Sequence, residues 1–182
     1  MKHNLKITFV LLLMFLITQF IGLYVVNFYL NPAQTLPLGM EPPPVQTNAD
    51  FSYMLGVIIF AFMFAMFIMF LLTRINAEFV LKLWFFSVVI IAMVISLTAI
   101  LPLKSYILLV SLIIAVPLAY FKIYQRSIVV HNLTELFIYP GIGAVFVSIL
   151  NIYTMLVLLV LISVYDMWAV WHSGIMQKMA KY

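Results

Sequence analysis

The sequence predicts an all-α, polytopic membrane protein with six transmembrane helices, and three observations support this fold class. Of the 182 residues, 67% are hydrophobic and only 8% are charged, whereas about 25% are charged in a typical soluble domain. Apolar runs of about 20 residues, the length a helix needs to cross a bilayer, recur along the chain. Basic residues occur in pairs between these runs, which is typical of membrane topology and not of a nucleic-acid interface.

The six spans follow from the apolar runs in chain order. We expect the first at residues 7–30, and its run is too long for a signal-peptide h-region, so we expect it to be retained. A Pro-rich outer linker follows at residues 31–52, and its three consecutive prolines at 42–44 cannot be helical. The remaining spans are predicted at 53–72, 83–101, 105–121, 133–150 and 152–171. With no internal repeat, residues 1–182 are predicted to form a single transmembrane domain.

The basic residues predict the orientation of the spans. Only Lys104 lies on the same side as Glu41 and Asp50 in the six-span arrangement. The other eight basic residues lie on the opposite side: Lys2, Lys6, Arg74, Lys82, Lys122, Arg126, Lys178 and Lys181. The positive-inside rule therefore predicts a multi-pass protein of the cell membrane with a cytoplasmic N-terminus and a cytoplasmic C-terminus.

Asp166 is the acidic residue that lies deepest in a predicted span. It follows ten uncharged residues of the sixth span and is expected roughly 8 Å inside the cytoplasmic boundary. A charged residue at the centre of a transmembrane helix costs about 2.5–3.5 kcal/mol on insertion scales, and such residues usually mark a functional site. The structural alternative is a packing hydrogen bond, for instance to Ser163 one turn earlier.

Other residues have structural interpretations. Asn132 and Glu135 at the start of the fifth span resemble a capping box. Pro140 and the glycines that follow it predict a kink and a close helix contact in the same span. Three methionines among the phenylalanines of the second span are interpreted as packing or lipid-facing bulk, with a substrate-contacting surface as the alternative: Met63, Met66 and Met69. The chain has no cysteine and three scattered histidines, so neither a metal site nor another cofactor is expected.

The pair Tyr165-Asp166, late in a leucine- and valine-rich sixth span, is similar to the YD motif of presenilins and signal peptide peptidases. These proteins are intramembrane aspartyl proteases. The closer resemblance is to the archaeal presenilin-like homologues, and it covers essentially the whole chain. It includes the stretch LVLLVLISVYDMWAV at residues 156–170, the glutamine in the first span, the Pro-rich linker and the spacing of the six spans. The predicted cytoplasmic N-terminus matches presenilins, whereas signal peptide peptidases are inverted.

The resemblance implies that Asp166 is one of two catalytic aspartates and that Tyr165 is its motif neighbour. The family has nine spans, with the second aspartate in a GxGD motif in span seven and a PAL motif in span nine. This chain contains no GxGD, because the Gly-Ile-Gly sequence at residues 141–143 is followed by Ala144. The chain therefore resembles the N-terminal half of the presenilin fold. We expect it to be inactive alone and to need a C-terminal half that carries both motifs.

Two other functions remain open. A proton- or cation-coupled transporter or channel subunit would use Asp166 as its ion site. It would need further polar residues facing Asp166, and Gln19 and Asn27 are among the few candidates. A structural or assembly module would not depend on Asp166 for any activity. Membrane lipid and, for the protease, a transmembrane peptide substrate are the expected partners; no nucleic acid is expected.

Overall fold

The protein is all-helical in the computed structural model, which describes residues 5–31, 34–37, 48–75, 77–101, 106–125, 127–150 and 152–168. Within these ranges 92% of residues are helical and none forms a strand. The helices are α1 (Leu5–Tyr29), α2 (Asn48–Arg74), α3 (Glu78–Ile100), α4 (Ile107–Tyr120), α5 (Ile128–Ile149) and α6 (Ile152–Trp168). A π-helical segment, Phe121–Gln125, continues α4.

Helix length and apolarity support the prediction of an integral membrane protein. Five of the helices within the described ranges are long and apolar enough to cross a membrane, and a shorter apolar stretch, Ile152–Met167, lies in α6. Because a lipid environment offers no hydrogen bonds to the backbone, a helix satisfies its own peptide groups at membrane depth. The all-helical prediction is confirmed at this level.

The predicted spans coincide with the helices, but three helices begin five residues earlier than predicted. They are α2, α3 and α5, which begin at residues 48, 78 and 128, whereas their apolar spans were predicted from 53, 83 and 133. Hydropathy marks the apolar part of a helix, whereas α2 and α3 begin in a polar turn with Asn48 and Glu78, residue types favoured there. In α5 the polar pair His131 and Asn132 interrupts an apolar stretch that begins at Ile128. The predicted linker, residues 31–52, therefore extends five residues too far, because α2 already begins at Asn48. The three prolines at 42–44 and the last residues of the predicted sixth span, 169–171, lie outside the described residues.

The chain divides into two compact units according to its internal contacts. The first comprises Met1–Pro42 with Phe85–Ile149, and the second comprises Pro43–Trp84 with Leu150–Tyr182. Unit 1 thus contains the described residues of α1, α4 and α5 and most of α3. Unit 2 contains α2, the beginning of α3 and α6. The prediction of one transmembrane domain over the whole chain stays a prediction.

The core of unit 1 is organised around α3. Every residue from Ala92 to Ala99 is buried, as expected for a helix that other helices surround. One cluster joins α3 to α4 and α5 through Val89, Ala92, Met93, Val94, Leu97, Ala115, Ala119 and Ile138. A second joins α3 to α1, α5 and the turn after α1 through Val25, Leu36, Ile95, Ala99 and Ala144. Small side chains recur in both clusters, which allows helix backbones to approach closely.

A close contact between α3 and α5 lies at the predicted kink. Pro140 lacks an amide hydrogen and its ring displaces the carbonyl one turn earlier, which weakens the helical ladder. The Ser96 hydroxyl of α3 donates to the Phe137 carbonyl oxygen at 2.5 Å, so a carbonyl beside the kink gains a partner. A Cβ on Gly141 would lie 1.9 Å from the Ala92 carbonyl oxygen. The backbones of α3 and α5 therefore pack at a distance that only glycine permits at this position.

The packing in unit 2 is looser. None of the apolar span of α2 is buried, and its phenylalanines include a stacked pair, Phe60 and Phe64, with ring centroids 6.2 Å apart. Phe62 contacts Tyr165 of α6 edge to face, with centroids 6.5 Å apart. An aromatic contact therefore joins α2 and α6, whereas helices of unit 1 are joined by small residues and hydrogen bonds.

Candidate functional site

The residues of the predicted site lie on the last described turn of α6. Leucine, isoleucine and valine dominate this helix from Ile152 onward, and such side chains favour a helix in an apolar environment because its backbone groups are satisfied internally. Tyr165 and Asp166 come three and two residues, respectively, before Trp168, the last described residue of the helix. The carboxylate is therefore carried by an apolar helix, near one of its ends.

Asp166 is exposed, whereas Tyr165 is only partly exposed. Ser163, the example named for a packing hydrogen bond to Asp166, does not donate to it. The Ser163 hydroxyl instead donates to the Leu159 carbonyl oxygen of its own helix, at 2.8 Å. The single hydroxyl proton of this serine is thereby used within α6. The carboxylate of Asp166 remains accessible from outside the described part of the chain.

Tyr165 lines an apolar groove in unit 2. The groove has a volume of about 570 Å³, within the range of about 300–1,000 Å³ that is usual for binding pockets. The lining residues of each helix recur three or four positions apart, so their side chains lie on one face of α2 and one face of α6. The lining residues are Ile59, Phe62, Met63, Met66, Phe67, Phe70, Leu161, Val164 and Tyr165.

Sequence analysis identified part of this surface but not its partner helix. Met63 and Met66 were interpreted as packing or lipid-facing residues, with a substrate-contacting surface as the alternative, and both line the groove. The side chain of Met69 lies outside what the structure describes. The periodic Phe and Met positions of α2 were visible in the sequence, but nothing in the sequence indicated that they lie beside Tyr165.

A cluster of three ionisable side chains in unit 1 was missed. The Glu135 Oε1 atom lies 2.8 Å from His131 Nε2 and 3.6 Å from Lys122 Nζ. Lys122 belongs to the π-helical segment and is only 13% exposed, whereas Glu135 is 28% exposed. The spacing of His131 and Glu135, four residues apart, was the available signal, since such residues are neighbours on a helix.

The capping-box interpretation of Asn132 and Glu135 is wrong. The helix begins at Ile128, and the His131 amide donates to the Ser127 carbonyl oxygen at 2.9 Å. Ser127 therefore occupies the N-cap position, because the N-cap carbonyl accepts the first bond of the helix. Asn132 and Glu135 lie within α5, where Glu135 forms an ion pair with Lys122 and contacts His131 instead of capping an amide.

The candidate site holds one carboxylate among the residues that the structure describes. No group of three or more His, Cys, Asp or Glu side chains with metal-binding geometry occurs in these ranges. Tyr165 thus lines an apolar groove, and Asp166, the next residue of α6, is exposed without a second acid from the described chain. The arrangement supplies one accessible acid–base group on the helix that forms one side of the groove.

Comparison with known proteins adds no relative of this chain. No protein-family model, curated protein or solved structure matches it. The resemblance to presenilins therefore rests on the residues of the sequence itself, above all on Tyr165-Asp166 within the sixth span. The catalytic role of Asp166 is accordingly a proposal, whereas the all-helical membrane architecture is a finding.

Proposed function

We propose that this chain is the N-terminal part of a presenilin-like intramembrane aspartic endopeptidase, which cleaves transmembrane peptide substrates. Asp166 is one of its two acid–base carboxylates, and Tyr165 lies beside it as the motif neighbour. One observation carries the proposal: an exposed carboxylate on an apolar helix directly follows a tyrosine that lines an apolar groove.

The exposure of Asp166 supports the need for a partner. A charged group facing lipid is costly, and intramembrane acids usually face protein or a water-filled cavity. A second carboxylate next to Asp166 would share its proton, as in aspartic proteases. The protonated acid would polarise the scissile carbonyl while the ionised one activates water. The partner is the C-terminal half with the GxGD and PAL motifs, and the 182-residue chain alone is inactive.

The groove supports a peptide substrate over an ion. Its lining is apolar apart from the Tyr165 phenol, so it suits the side chains of a transmembrane helix. A dehydrated ion would find no carboxylate or carboxamide among the described residues that line the groove.

The alternative, a proton- or cation-coupled transporter or channel subunit with Asp166 as its ion site, has one observation in its favour. Lys122, His131 and Glu135 form a second ionisable group within apolar helices, and proton pathways use such groups. Proton flux into liposomes separates the two functions. Flux that Asp166→Asn abolishes would favour transport.

The orientation is also a proposal: both termini face the cytoplasm and the linker between α1 and α2 faces the opposite side. It is supported by the eight basic residues that share one side of the six-span arrangement. Labelling of single cysteines with a membrane-impermeant maleimide tests it directly, because the natural chain has no cysteine.

Co-expression tests the protease. The chain is combined with a three-span fragment that carries the GxGD and PAL motifs, and cleavage of a fluorogenic transmembrane peptide is measured. We expect cleavage by the pair, no cleavage by the chain alone, and no cleavage with Asp166→Asn. Ser163→Ala, on the same helix, is the matched control and should remain active. Cleavage that persists with Asp166→Asn would contradict the proposal.

A further inference from the structure

A small polar pocket lies at the C-terminal end of α1, within unit 1. Its volume is about 260 Å³, and it is lined by Tyr24, Asn27, Phe28, Asn31 and Gln34. Three of these side chains are carboxamides and two are aromatic, and none is charged. This composition differs from that of the α2–α6 groove, which is apolar.

The turn after α1 forms one wall of this pocket. The backbone N–H of Asn31 donates to the backbone carbonyl oxygen of Phe28 at 3.4 Å, and the backbone N–H of Gln34 donates to that of Asn31 at 2.9 Å. Leu36, two residues further on, is 6% exposed and packs into the second core cluster. Gln34 is therefore held beside the last turns of α1, and the pocket is preformed, which lowers the ordering cost of binding.

The aromatic side of the pocket is also fixed in place. Phe28 packs edge to face on Tyr29, with ring centroids 5.1 Å apart. The Tyr29 hydroxyl donates to the Ile95 carbonyl oxygen at 2.8 Å and lies 2.5 Å from the Thr98 hydroxyl oxygen. The end of α1 is thus tied to α3, and Phe28 is positioned through its neighbour.

The chemistry of the lining predicts the kind of ligand. A carboxamide both donates and accepts hydrogen bonds without a formal charge, as does a hydroxyl group, so the two are complementary. Aromatic side chains add an apolar face with a polar edge at the membrane interface. No charged residue occurs between Lys6 and Glu41 in the sequence. The described residues that line the pocket thus include no basic side chain that would attract a phosphate.

The position of the pocket indicates a lipid. Phe20 and Leu23 lie on α1 on the membrane side of the pocket and are strongly exposed, so an acyl chain can lie along them. An interfacial aromatic belt explains single aromatic residues at helix ends. It does not explain three carboxamides grouped with two aromatic rings around one concavity. We propose that this pocket binds the neutral, hydroxyl-bearing headgroup of a membrane lipid.

Native mass spectrometry of the full chain tests this proposal. The protein is released from a detergent without a sugar headgroup, because a glycoside detergent would compete. Monogalactosyldiacylglycerol is the neutral probe, and phosphatidylglycerol and phosphatidylcholine are the comparisons. We expect preferential retention of the galactolipid. Asn27→Leu and Gln34→Leu should each weaken its binding about fivefold, the size of one lost hydrogen bond.

Gln19→Leu is the matched control, because Gln19 is an exposed carboxamide on α1 that does not line the pocket. It should bind the galactolipid as the unmodified chain does. Asn27 and Gln34 are exposed, so these variants should keep the fold, which tryptophan fluorescence unfolding verifies. Tyr24→Ala provides a second, aromatic variant. Equal retention of all three lipids, or equal weakening by Gln19→Leu, would overturn the proposal.

Discussion

The two units of this protein pack their helices in opposite ways. In unit 1, α3 contacts α5 through Ala92, Ser96 and Gly141, and the contact is closed by small residues and a hydrogen bond. In unit 2, bulky side chains of α2 and α6 leave an apolar groove beside Tyr165. Membrane helices associate through close packing and polar contacts, since lipid provides little hydrophobic driving force between them. Unit 1 therefore has the packing of a completed helix interface, whereas unit 2 has that of a surface that can accept a ligand.

The largest effect is expected where the packing of unit 1 is closest. Gly141→Ala places a methyl group 1.9 Å from the Ala92 carbonyl oxygen, so the backbones must separate. Overpacking typically costs about 1–3 kcal/mol, and we expect the upper end because a backbone atom cannot rotate away. The matched control is Gly143→Ala, whose added Cβ meets nothing within 4 Å. Unfolding in detergent, monitored by tryptophan fluorescence, should show a large loss of stability for Gly141→Ala only. Equal losses would show that the contact between α3 and α5 is not closely packed.

The next effect concerns the ion pairs of unit 1. Glu135→Gln leaves Lys122, which is 13% exposed, without its negative partner. Removing one partner of a fully buried pair costs about 3–5 kcal/mol, and partial solvent access reduces this to about 1–2 kcal/mol here. His131→Asn should cost much less, since His131 is 51% exposed. The same unfolding measurement compares the two variants. A larger loss for His131→Asn would mean that the histidine, not the lysine, depends on Glu135.

A smaller effect is expected from the hydroxyl that serves the kink of α5. Ser96→Ala removes the donor to the Phe137 carbonyl oxygen, at a cost of about 1 kcal/mol. Ser148→Ala is the control, because its hydroxyl donates to the Ala144 carbonyl oxygen of its own helix. That loss should be small, since the helical ladder already satisfies this carbonyl. If both variants unfold alike, the bond from α3 does not support the kink.

The sequence predicted the architecture better than it predicted the contacts. An apolar run and an isolated acid such as Asp166 are local properties, so the spans and the candidate site could be found without knowing which helices meet. The bond from Ser96 to Phe137 joins residues 41 positions apart, and no local pattern predicts such a pair. The partners of Glu135 were missed because the fifth span was predicted to begin at residue 133, which made Glu135 look like a capping residue, whereas α5 begins at Ile128. The groove could not be predicted, because its prediction requires knowing that α2 lies beside α6.

The smallest effect on stability is expected in unit 2, and it tests the comparison most directly. Met66→Trp adds bulk to the open groove, whereas Ala115→Leu adds bulk to the closed core of unit 1, where Ala115 is fully buried. Overpacking should destabilise the core variant by about 1–3 kcal/mol, while the groove variant should remain within about 0.5 kcal/mol of the unmodified chain. In the co-expressed protease, Met66→Trp should nevertheless reduce peptide cleavage, because it fills the surface proposed for the substrate. A groove variant that unfolds like Ala115→Leu would show that the α2–α6 surface is a packed interface. Normal stability with normal cleavage would instead show that the surface faces lipid and that the substrate binds elsewhere.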